Sequence, residues 1–65
     1  MKSITVMLVY DDDHGNVKDA DQLIMGLAKA AITIIRYGKP NLDDMANITA
    51  LRSDDGELLG TITRS

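Results

Sequence analysis

The 65 residues include no cysteine, phenylalanine or tryptophan, and only one proline and one histidine. Without cysteine, neither a disulfide-stapled nor a thiolate-zinc miniprotein can form. The same absence fits a reducing, cytoplasmic setting. Two tyrosines are the only aromatics, so the core has to be assembled from Ile, Leu, Val, Met and Ala. Met1-Lys2-Ser3 leads into a short strand-like run that ends in three aspartates, which reads as neither a signal peptide nor a membrane span. The five glycines are scattered and make no phosphate-cradling loop. The length alone excludes a complete Rossmann, receiver or P-loop domain.

Apolar residues make up 45% of the chain and charged residues 26%, so it is too apolar for a disordered segment and reads as one small folded domain spanning 1–65. A chain this short buries a modest share of its surface, and a second copy or a partner is an expected source of further burial. The net charge of −3 disfavours nucleic acid or an anionic membrane as direct ligand and suits a basic partner.

Three pieces follow one another. Ile4, Val6, Leu8 and Tyr10 alternate with Thr5, Met7 and Val9, the period of a β-strand. Ala20, Leu23, Ile24, Leu27, Ala28, Ala31, Ile34 and Ile35 then fall on one face of a helix expected over roughly 17–37, about 30 Å long. Asp19 with Gln22 reads as a capping box, with Asn16 as the alternative cap, and Gly38 followed by Pro40 as the stop. Mid-helix Gly26 signals a close approach on its side. Two short strands flank Ser53-Asp54-Asp55-Gly56-Glu57. An Asp-Gly loop pairs Thr49 with Ile62 and Ile48 with Thr63. A three-residue loop with left-handed Gly56 pairs Ile48 with Ile62, Leu51 with Leu59 and Thr49 with Thr61, and this like-with-like register is preferred.

The expected fold is therefore α+β: a β-α-β-β domain with a three-stranded mixed sheet and one helix packed on one face. The last strand lies either at the edge or between the other two. Met7, Val9, Leu51 and Leu59, among threonines, are expected on the open sheet face unless the facing is reversed.

This topology sorts the charges. Asp11, Asp12, Asp13, Asp19, Asp21, Asp54, Asp55 and Glu57 gather at one end, opposed by Lys18 and Arg52. Lys2, Arg36, Lys39 and Arg64 face Asp43 and Asp44 at the other, with Lys29 between. The acids have ordinary roles as helix-terminal and turn residues. Their convergence also suits docking onto lysines and arginines that otherwise hold phosphates.

Catalytic and metal chemistry find little footing, and the chain reads as not an enzyme, with no cofactor and no metal. Asp11, Asp12, Asp13 and His14 fail the calcium-loop pattern, since Gly15 falls on its fifth position and no glutamate on its twelfth. Ser3, Ser53 and Ser65 stand at the termini or in the turn, and one histidine cannot complete a nucleophilic apparatus. The segment Ile4 to Asp13 resembles the opening strand and acidic pair of response-regulator receiver domains, but the chain has no room for the rest.

In size, element order and grouped acids the whole chain resembles small phage-encoded inhibitors of host defence, notably some anti-CRISPR proteins, without a shared residue motif. That resemblance implies a non-enzymatic inhibitor in the host cytoplasm. Its acidic pole would imitate DNA and dock on a basic nucleic-acid-binding protein, such as a DNA-binding subunit of a CRISPR effector complex. Asp11, Asp12, Asp13, Asp54, Asp55 and Glu57 would stand in for phosphates, with the protein a monomer or weak homodimer. The alternative is a small structural or regulatory module that dimerises through its open sheet face.

Overall fold

The computed structural model describes residues 1–10 and 17–65. Strand β1 (Ile4–Leu8) precedes helix α1 (Ala20–Thr33), which continues as a π-helical stretch, Ile34–Gly38. A 3₁₀ turn at Leu42–Asp44 leads to β2 (Ile48–Arg52) and β3 (Leu58–Arg64). The α+β class and the β-α-β-β order are those expected from the sequence. The strands form one sheet in the order β1-β3-β2.

The last strand thus takes the central position. Both ladders are antiparallel, which corrects the mixed sheet to an antiparallel one. β1 and β2 run in the same direction without pairing, because β3 lies between them. β3 is the longest strand, and Leu59, Gly60 and Ile62 within it are buried.

The hairpin combines parts of both expected registers. Gly56 N–H donates to the Ser53 carbonyl and Ser53 N–H to the Glu57 carbonyl, each at 2.9 Å. They close the three-residue loop Asp54-Asp55-Gly56, with Gly56 at φ 87°, a conformation that costs glycine little. Arg52 still pairs with Leu58, but an irregularity between Leu51 and Arg52 then shifts the ladder by one residue. Beyond it Leu51 pairs with Gly60, Thr49 with Ile62 and Ile48 with Thr63, so the like-with-like pairing is corrected. The reason is burial. A one-residue slip moves side chains to the opposite face, and this bulge buries Leu51, Leu59 and Ile62 together, at 1%, 0% and 1% exposure. Each such burial contributes roughly 1.5–3 kcal/mol, more than a matched cross-strand pair.

Leu51 and Leu59 therefore leave the open sheet face to which they were assigned. That face carries Thr5, Met7, Ile48, Ala50, Thr61 and Thr63, with Met7 and Ile48 exposed. Ala30, Met45, Leu51 and Ile62 form one buried cluster, with Ile4, Leu8 and Ile34 packed around it, and Val17 and Leu59 are buried as well.

Helix α1 starts later than expected, at Ala20. Asp19 is its cap, accepting from Gln22 N–H at 2.9 Å, while the Gln22 side chain accepts from Lys18 N–H at 2.7 Å. The reciprocal bonds satisfy donors that the first turn leaves free. The alternative cap, Asn16, lies outside the described residues. Gly38 is not a left-handed cap, since Gly56 is the only residue of positive φ among those described. A side chain at 38 would meet Met45 Sδ at 2.9 Å and Leu42 Cδ2 at 3.0 Å, so close packing selects glycine there.

The largest departure concerns which helix face meets the sheet. The packed side reads Gln22, Met25, Gly26, Lys29, Ala30, Thr33 and Ile34, all buried or half-buried. Of the apolar set expected to face inward, Ala20, Leu23, Ile24, Leu27, Ala28, Ala31 and Ile35 are exposed. Small residues let the helix approach closely: a Cβ on Gly26 would lie 2.6 Å from Leu8 Cδ2. The same Leu8 methyl would be 2.9 Å from a Cβ on Gly60. Leu8 is thus wedged between two glycines, and bulkier residues on that helix face would push the layers apart.

Candidate functional site

The strand directions bring the ends of β1 and β2 to one edge of the sheet, with the 53–57 turn beyond it. Asp19, Asp21, Asp54, Asp55 and Glu57 are all exposed. Asp11, Asp12 and Asp13 lie outside the described residues, as does His14. Among the described acids only some stand free of other work. Asp19 caps α1. Asp54 accepts from Lys29 Nζ at 2.9 Å, which holds its carboxyl below the usual 3.8 through that hydrogen bond and the ammonium charge. Lys29 therefore belongs to the acidic end rather than between the poles. Asp21, Asp55 and Glu57 form no ion pair among the described residues.

The opposite end is a clasp. Lys2 Nζ donates to Asp43 Oδ2 at 2.8 Å, and Arg64 Nη1 stands 4.0 Å from Oδ1. The Lys2 hydrogen bond, then its charge and that of Arg64, lower the Asp43 carboxyl below its ordinary value. Arg64 also donates to the Met45 carbonyl at 2.9 Å and to Asn47 Oδ1 at 2.7 Å, tying β3 to the segment after α1.

Two surfaces escaped the sequence reading. Between α1 and the outer edge of β2 runs an open groove of about 290 Å³, where Lys29, Arg36 and Arg52 line the same wall space with Tyr37 and Thr49. Sequence reasoning disperses these cations because the placement of α1 against β2 is a tertiary property.

The second is the outward face of α1. Leu23 is 41% exposed, Ile24 63%, Leu27 53% and Ile35 58%, with Ala20, Ala28 and Ala31 exposed between them. Their i, i+3 and i+4 spacing makes a continuous stripe. Together they expose on the order of 500 Å², near the upper end for the largest apolar patch of a monomer. The periodicity was evident in the sequence; that it points away from the sheet was not.

No protein-family model, curated protein or solved structure matches this chain. Among the described residues no helix is long and apolar enough to cross a membrane.

Proposed function

We propose that this chain is a small binding protein rather than a catalyst, acting as an inhibitor or regulatory module by docking on another polypeptide. The outward apolar face of α1 carries this reading. A free monomer would lower its free energy by covering that stripe, and the core beneath has few large residues to spare it.

The acidic end supports a finer reading of the partner. Asp21, Asp55 and Glu57 are exposed acids on a chain of net charge −3, and carboxylates compete with phosphates for lysines and arginines. This is the DNA-mimic, anti-CRISPR-like reading, in which the partner is a basic nucleic-acid-handling protein.

Tagged native chain, Leu27→Asp and the Asp55→Asn/Glu57→Gln variant are used to capture partners from bacterial lysate and from a pool of untagged copies, at low and high salt. Capture lost with Leu27→Asp supports the helix-face reading. Capture that Leu27→Asp keeps, but neutral acids or high salt abolish, moves docking to the acidic end. Equal capture by all three baits, or none, overturns both.

A further inference from the structure

We infer that the occupant of the outward face of α1 is a second copy of this chain, its helix packed antiparallel against the first. The inference rests on the helix-face reading above and adds the partner's identity.

The stripe alternates large and small side chains in a self-complementary way. When two copies of the helix run antiparallel with their midpoints between Leu27 and Ala28, Ile35 meets Ala20, Ile24 meets Ala31 and Leu27 meets Ala28 of the other copy. In these three pairs every large residue faces an alanine on both sides of the two-fold axis, while Leu23, the remaining large residue of the stripe, meets Ile32 at its margin. Parallel pairing instead sets Ile24 on Ile24 and alanine on alanine, with crowding and voids in alternation. A two-fold axis requires such a self-complementary patch.

The charges agree. Asp19 and Asp21 stand at the helix N-terminus and Arg36 at its C-terminal end, on the flank toward β2, so antiparallel packing brings each acidic helix end to the end of the other copy that carries Arg36. Arg36 makes no ion pair among the described residues of its own chain. Parallel packing would set acids against acids. Complete covering of both stripes would bury about 1,000 Å², the lower bound for a specific interface, and flanking residues such as Ile32 and Tyr37 extend it. The open sheet face is a poorer match, because four of its positions are threonine or alanine beside Met7 and Ile48.

The absence of cysteine makes the test direct. Chains carrying Ile24→Cys and Ala31→Cys are mixed and mildly oxidised, and sedimentation is followed for the native chain and Leu27→Asp. The expected result is a disulfide between Ile24→Cys and Ala31→Cys chains, with little self-linking of either. Native chain sediments as a dimer, and Leu27→Asp weakens it by about 100-fold or more. Equal or dominant self-linking of Ile24→Cys overturns the antiparallel arrangement. A native chain that stays monomeric overturns self-pairing altogether. If Leu27-dependent capture of another protein then persists, the helix-face reading stands; if it too is absent, both fall.

Discussion

Gly26→Ala decides which face of α1 meets the sheet, because the two possible answers have opposite signs. If the stripe Leu23, Ile24, Leu27 and Ala31 faced inward, Gly26 would look toward solvent. Alanine there would stabilise the helix by about 1 kcal/mol through propensity alone. In the structure the new methyl lands 2.6 Å from Leu8 Cδ2 and 3.2 Å from Cδ1. Leu8 has to shift to admit the methyl, and its Cδ2 already lies within 2.9 Å of where a Cβ on Gly60 would stand. Overpacking of this kind costs roughly 1–3 kcal/mol, so after the propensity gain a net destabilisation of about 1 kcal/mol is expected. Urea unfolding followed by far-ultraviolet circular dichroism measures it. In a Leu8→Val background both Cδ atoms are gone, and the same Gly26→Ala change should become neutral or stabilising. The double-mutant cycle then gives a coupling of about 1–2 kcal/mol. A stabilising Gly26→Ala in the native background, or additivity with Leu8→Val, would refute the packing described here.

Leu51→Ala removes a side chain 1% exposed, and should cost about 2–4 kcal/mol, while Ile48→Ala, at 68% exposure, should change stability by less than about 0.5 kcal/mol. A larger cost at Ile48 than at Leu51 would restore the facing expected from the like-with-like register. The carboxyls of Asp43 and Asp54 should titrate below 3.8 in carbon-detected NMR, Asp54 returning to that value in Lys29→Met. Depressed folded-state values mean that these groups contribute stability above about pH 3.8, fully present at neutral pH and lost as pH falls through the lowered values. Midpoints at or above 3.8 would show that the Lys2 and Lys29 contacts do not persist in solution.

Much of the architecture follows from local pattern. Alternation from Ile4, the Asp19–Gln22 box and the preferred Asp54-Asp55-Gly56 loop are each found among the readings the sequence offers. These are short-range effects: a strand's period, a capping hydrogen bond, a backbone conformation that glycine tolerates. The same holds for the amphipathic stripe of α1, whose existence depends only on the helical repeat.

Which neighbour that stripe meets is a different matter. Hydrophobic patterning identifies an apolar face but does not state that the face is buried within the same chain. Here Leu8 approaches the helix so closely at Gly26 that a side chain there would meet it, so the side of α1 carrying Gly26 and Ala30 goes inward and the stripe of Leu23, Ile24, Leu27 and Ile35 goes outward. The register beyond Leu51 was likewise settled by how many large side chains one bulge buries at once, and the placement of β3 by the ladders available on both its edges. The charged surfaces divide the same way. Strand direction alone sends the ends of β1 and β2 the same way, so the 53–57 turn lies beyond the end of β2. Only the packing of the helix on the sheet brings Lys29 to Asp54 and sets Arg36 beside β2, because distances between elements far apart in the chain are properties of packing.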